Sequence, residues 1–426
     1  MTGWINQAIN AMMQAGAFGV QYMIQYHRLG SVPPKHHVTH YEDGKLLMEQ
    51  CATRLGFEGT YSILYYRVPP TDEAAVETMT LPGYAPIEPA GDQALHRRHL
   101  RTQDLSTDGD FLTGRRVLLF NEDLRVAICK PNQAARNFFS NGDGDECWFA
   151  YDGGGLLESV YGVLPFRKND YILVPKGTAY RLHPDGNKGT FLLFESSGSI
   201  DLPKQFRNDS GQITMYAPYC HRDFRVPTEL LRFDKSKHGA PPYPLVVKHG
   251  QQLSVHLFKH FPWELAGWDG FTYPVAFNIH DYQPRTGLVH LPPTTHITFA
   301  GRGFIICSFV PRKVDYFDRD GCKAIPCPYG HASVDCDEIL YYVEGNFTSR
   351  KGIESQSISL HPMGIPHGPH PGTYQASIGH EATTELAVMC DTFKALRLTK
   401  VGESVEAKDY HYTWVKRENE AMETSK

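Results

Sequence analysis

The chain has 426 residues, 41% of them hydrophobic and 12% aromatic, with a formal net charge of −5. That length exceeds the usual single-domain range and calls for roughly two domains. The mild acidity and lack of Lys/Arg blocks exclude the electrostatic footprint of a nucleic-acid or anionic-membrane binder, so a small-molecule partner is expected. Nine cysteines, an odd number with no CxxC pair, argue against a disulfide framework or a zinc ribbon and for a reducing cytoplasm. They read as small buried hydrophobes.

Taken in chain order, Gly3 to Tyr26 carries no charged side chain, but Asn6, Gln7, Asn10, Gln14, Gln21 and Gln25 interrupt it. Neither a basic leader nor a cleavage pattern is visible, so residues 1–30 are expected to form an amphipathic helical arm packing on the body or on a neighbouring subunit. Helical periodicity recurs at Asp72 to Thr80 and at the extreme C-terminus. Elsewhere the apolar runs are short and bounded by Gly, Pro, Asp or Asn: Arg116–Phe120, Val126–Cys129, Tyr171–Val174, Thr190–Phe194, Gly303–Phe309 and Ile339–Val343. These predict strands, and 29 Pro and 38 Gly supply tight turns between them. A proline-rich stretch from Asn208 to Gly250 reads as a connection.

An imperfect internal repeat organises the whole. Glu338 is followed after six residues by Gly345 and later by Pro362-x-Gly364-x-x-His367; Glu146 is followed after six by Gly153 and later by Pro175-x-Gly177-x-x-Tyr180. Two copies of one β-barrel unit follow. Both resemble the cupin pattern, which implies an all-β bicupin, two jelly-roll β-barrels with an N-terminal helical arm. The expected division is 31–215 for a first barrel without a metal site and 216–426 for a linker and a second barrel with one. In the first copy Phe139, Asn141 and Tyr180 occupy the histidine places, so that barrel is structural.

The second copy concentrates the chemistry. His331, Glu338 and His367 form the donor set of a 2-His-1-carboxylate triad, which leaves one face of a non-haem Fe(II) open for substrate and oxygen. Ser333 takes the place of a fourth ligand, and Asp335 and Asp337 are rival carboxylates that miss the Glu-x6-Gly spacing. A separation of seven would put His331 and Glu338 on opposite faces of an unbroken strand, so a turn or bulge is required at Val334 to Asp337. His361 and His280 are candidates for handling a hydroxyl proton, or for supporting the ligands and the core.

These segments together resemble the homogentisate 1,2-dioxygenase family. The likeness rests on Leu29-Gly-Ser-Val-Pro-Pro-Lys-His-His, Gly56-Phe-Glu-Gly-Thr-Tyr-Ser, Asn169-Asp-Tyr-Ile-Leu-Val-Pro-Lys-Gly-Thr, Val275-Ala-Phe with His280, Phe309-Val-Pro-Arg312 and the His331–His370 block, all in the family's order. The resemblance implies an Fe(II) enzyme that opens a para-dihydroxylated arylacetate ring with O2 in tyrosine and phenylalanine catabolism, and a homo-oligomer, trimer or hexamer. It carries over His331, Glu338 and His367 as iron ligands, His280 and His361 as active-site histidines, and Tyr329 as a substrate contact. Phe347, Arg350 and His370 complete the expected substrate pocket. Here the chain departs from the eukaryotic pattern: Phe347 cannot donate a hydrogen bond, whereas Arg350 could grip a carboxylate bidentately. A gentisate-like or other hydroquinone substrate, a non-oxygenase metal cupin such as an isomerase, and a ligand-storing bicupin are the competing readings.

Overall fold

The computed structural model describes residues 24–81, Tyr84 and 87–415. Most of the expected helical arm therefore lies outside the described residues, and its described end, His27–Gly30, is a strand paired with Leu265–Gly270. The regular structure is mostly strand, as the short apolar runs predict. Among the described residues no helix is long and apolar enough to cross a membrane.

The chain divides into two compact units, but not at residue 215. Among the described residues, one consists of 24–81 with Tyr84, Thr107–Arg115 and Cys129–Asn278; the other of Ile87–Ser106, Arg116–Ile128 and 279–415. The stretch read as a connection, Asn208 to Gly250, ends in a strand instead: Tyr243–His249 runs parallel to Phe138–Asn141 and so joins a sheet of the first unit. Conversely, Arg98–Arg101 pairs antiparallel with Ser357–His361 and so belongs to the second. Asp72 to Thr80, helical by its periodicity, forms no helix. Glu73–Met79 is a strand paired with Gln252–Phe258; its Glu-Ala-Ala start looks helical, but β-branched Val76 and Thr78 suit a pleated surface and the neighbouring strand decides.

In the first unit the Glu146–Asp152 strand lies between Asp170–Val174 and Thr190–Ser196. Trp148 and Phe149 are fully buried there, each contributing about 2–3 kcal/mol by area. At the place where the repeat would put a metal, the structure places the guanidinium of Arg115. Its Nη1 donates to Glu146 Oε1 at 2.5 Å and its Nη2 to the Tyr180 hydroxyl at 3.0 Å, while Asn141 Nδ2 reaches the same Glu146 oxygen at 3.1 Å. Phe139 lies under the cation, 4.8 Å from its centre. All five side chains are buried. The residues that replace the histidines thus surround a cation carried by the chain itself.

The second unit's main sheet runs Ile297–Gly301, Phe304–Phe309, Leu386–Thr392, Asp337–Glu344, Ser357–His361 and Arg98–Arg101. Because side chains alternate along a strand, Glu338, Leu340 and Tyr342 share one face. On the neighbouring strand Ala387 and Met389 share it too, opposite Tyr342 and Leu340. That face forms the floor of a cavity.

Candidate metal centre

The cavity has a volume of about 820 Å³ and is lined by Glu338, Leu340, Tyr342, Ala387 and Met389 from the sheet. Loops close it with Tyr329, His331, Phe347, Arg350 and His367, and with His290 and Arg312. The ligand atoms of His331, Glu338 and His367 all lie within 4.8 Å of one another, so one ion can collect them.

Each of these candidate ligands is held by an identifiable device. His331 and His367 face each other as an isolated antiparallel pair, the amide of each donating to the carbonyl of the other at 2.8 Å. Their rings lie 4.3 Å apart. The chain bends at Val334 and Asp335, as the spacing requires, and enters the strand at Asp337. Gly345 follows with φ +92°, where a Cβ would sit 1.9 Å from the Thr384 carbonyl oxygen; only glycine fits. Asp337 accepts the amides of Met363 at 2.7 Å and Leu396 at 2.6 Å, which removes it as a ligand, and Asp335 is exposed.

Protons can be placed on the ligands by elimination. His331 Nδ1 is 3.2 Å from the Tyr329 carbonyl oxygen, which can only accept, so Nδ1 carries hydrogen and Nε2 faces the site with its lone pair. His361 Nδ1 donates to Glu338 Oε1 at 2.7 Å, while its Nε2 accepts from Arg350 Nη2 at 3.3 Å. Burial first, and Arg350 second, push the His361 pKa down to about 3. Burial opposes ionisation of Glu338, but the hydrogen bond from His361 and the proximity of the His367 ring, whose Nε2 lies 3.6 Å away, prevail and hold its carboxyl well below the ordinary range. The ring nitrogens of His367 are buried without a hydrogen-bond partner among the described residues. A nitrogen left so beside an ionised carboxylate fits a metal ligand, and the N, N, O donor set suits a divalent ion.

The other expected residues divide. Tyr329, Phe347 and Arg350 line the cavity. His280 does not: it lies exposed on the turn Ile279–Asp281. Besides His331 and His367, the wall carries His290, ten residues on from His280 and edge-on to Tyr329 at 5.2 Å. Burial, then Arg312 and His331, lower its pKa, so it stands neutral. His370 is also outside the wall. It stacks on Trp414 at 3.9 Å and reaches Thr413 Oγ1 at 3.0 Å, which ties down the C-terminal segment. His361 is fully buried with both nitrogens engaged, so it is placed to orient Glu338 rather than to exchange protons with a substrate.

The family described as homogentisate 1,2-dioxygenase N-terminal matches residues 101–279. Homogentisate 1,2-dioxygenase of Emericella nidulans is 25% identical over 53% of this chain, a stretch that spans 52% of the fungal enzyme. That of Rhizobium etli is 23% identical over 77% of this chain and 72% of its own. A "Putative dioxygenase" of Saccharolobus solfataricus is 35% identical over 92% of this chain and 99% of its own. The chain belongs to the homogentisate 1,2-dioxygenase family. Solved structures similar to it include a cupin 2 conserved barrel protein from Leptotrichia buccalis, at 9% identity and TM-score 0.31 over 72% of this chain and all of that one. A Bacillus subtilis oxalate decarboxylase gives 9% and 0.30 over 72% and 79%.

As a homogentisate 1,2-dioxygenase family member the chain is an enzyme of the dioxygenase kind, and its triad can hold the metal such an enzyme needs. The support given by His361 can be measured. His361→Ala is expected to weaken metal binding by about 10–100-fold without abolishing it, the usual cost of losing a group that orients a ligand. Competition with a metal-binding dye reads the change; unaltered affinity would return His361 to a substrate-directed role.

Proposed function

We propose that the protein is a non-haem Fe(II) dioxygenase that opens the ring of homogentisate or a closely related para-diphenol with O2, in aromatic amino-acid catabolism. The observation that carries this reading is the meeting of a three-ligand site and a buried guanidinium in one apolar cavity. Iron, when bound, supplies Lewis acidity toward the phenol and a route for electrons from the ring to oxygen. The residues do the rest. Leu340, Tyr342, Phe347 and Met389 offer apolar surface to a flat ring. His290, neutral and on the wall, is the base within the cavity for a ring hydroxyl proton. It takes the role that the sequence pattern gave to His280.

Arg350 supports an acidic side arm on the ring. Its Nη1 donates to the carbonyls of Gly368 and Ser349 at 3.1 and 3.2 Å, and its Nε is buried with no hydrogen-bond partner among the described residues. A carboxylate would satisfy that donor by a charge-assisted bond. Arg350→Met is therefore expected to weaken an arylacetate by about 2 kcal/mol and to leave plain hydroquinone nearly unaffected, as read from kcat/KM. Equal losses for both would remove Arg350 from substrate selection.

The test of the whole reading is anaerobic reconstitution with Fe(II), then oxygen consumption with homogentisate, gentisate and plain hydroquinone. Preference for homogentisate supports the reading; preference for an uncharged ring would make Phe347 the mark of a different para-diphenol pocket. No uptake with any of them would favour a non-oxygenase metal enzyme. A cytoplasmic homo-oligomer, trimer or hexamer, is part of the same proposal.

A further inference from the structure

A second, smaller and more open pocket adjoins the first and shares His290, Leu291, Arg312 and Pro326 with it. Its walls are lopsided in charge: Arg285, Arg312 and Lys313 line it against the single carboxylate of Asp315. Arg312 gives Nη1 to Glu385 Oε1 at 3.2 Å and to the Val310 carbonyl at 3.4 Å. A second observation is independent of these charges. His296, another wall residue, is 3% exposed, packs on Phe309 at 4.8 Å, and has no hydrogen-bond partner for its Nδ1 among the described residues. A buried imidazole nitrogen without a partner calls for a ligand, and the surrounding cations favour an anion.

We propose that this chamber is a carboxylate-binding antechamber that receives the carboxylate end of the ring-opened product on its way out of the metal site. The assignment to product rests on the ring-cleavage reading; the binding of a small carboxylate does not. When both oxygen atoms of O2 enter across one ring C–C bond, the hydroxyl-bearing carbon becomes a carboxyl and its neighbour a ketone. The two carbons give up the four electrons that reduce O2, no other reductant is needed, and one proton leaves as the acid ionises. The product therefore carries one carboxylate more than the substrate. A cationic chamber next to the site distinguishes the two by that charge.

Titration calorimetry of the metal-free full-length protein with succinate tests the site without iron or oxygen. Arg285 and Lys313 are exposed, so the double variant Arg285→Met/Lys313→Met is expected to fold as the parent does, and circular dichroism checks it. Succinate binding should weaken at least about tenfold in that variant, the value of one charge-assisted hydrogen bond, and survive Arg350→Met. Addition of succinate should also shift the ¹⁵N resonances of the His296 ring. Binding that vanishes with Arg350→Met but ignores the double variant would overturn the proposal, as would no binding at millimolar succinate. Tighter binding of inorganic phosphate, with the same dependence on the two variants, would overturn the carboxylate assignment. With the loaded enzyme, product inhibition should weaken about tenfold in the double variant while kcat/KM for the substrate holds; unchanged product inhibition would overturn the exit role. Failure of oxygen uptake with every hydroquinone would count against the ring-cleavage reading and would leave the succinate titrations as they stand.

Discussion

Glu338→Ala should empty the second barrel of metal and abolish oxygen uptake. The substitution removes the only carboxylate of a three-donor set and leaves two neutral imidazoles, a poor site for a hard or borderline divalent ion. It also deprives the His361 Nδ1 hydrogen of its acceptor in a fully buried place, so the ring that oriented the ligand loses its own anchor. His331→Ala and His367→Ala should behave alike. Metal content after reconstitution and desalting, measured by plasma mass spectrometry, decides. Full retention in any of the three would strike that residue from the ligand set. Tyr180→Phe in the first unit, by contrast, should leave metal content unchanged.

The second large effect is expected in the first unit. Arg115→Met leaves the Glu146 carboxylate buried without the cation that faces it, and breaking a buried ion pair by removing one partner costs about 3–5 kcal/mol. Urea unfolding should show the loss as an earlier transition. Arg115→Met combined with Glu146→Leu should recover much of it, because two apolar side chains no longer strand a charge. A double variant as unstable as the single one would mean that Arg115 acts through Tyr180 or through Glu195, whose Oε2 lies 3.5 Å from Arg115 Nη1, rather than through Glu146. The loss should also be independent of added metal, since this unit carries its own cation.

The grouping of His331, Glu338 and His367 was legible in the sequence because the cupin spacing encodes register. Glu338 is the second residue of its strand, Gly345 ends the strand, and Pro362-x-Gly364 turns the chain back so that His367 can face His331. Such constraints are local and leave a mark within a few residues. His290 left a fainter one, and Arg312 stood out only within the Phe309-Val-Pro-Arg312 likeness. They reach the cavity from long loops, and only the folded chain shows that His290 rather than His280 lies on the wall. A histidine between Val289 and Leu291, ahead of two prolines, was the available hint. The unit boundaries were hidden for a related reason: Arg98–Arg101 meets Ser357–His361 across some 250 residues of chain, a pairing that no local pattern announces. Glu73–Met79 shows the opposite failure, a local helical pattern overruled by a neighbouring strand.

The backbone pairing of His331 with His367 bears on how the centre fills. Two of the three candidate ligands sit across one rung of hydrogen bonds, so their separation is set by peptide geometry before any ion arrives. Little conformational entropy remains to be lost on loading, and affinity is gained by that economy. The same rung should persist after chelation: the amides of His331 and His367 would then exchange with deuterium at similar rates in the loaded and stripped protein, and the ion could leave and return without the loops being rebuilt.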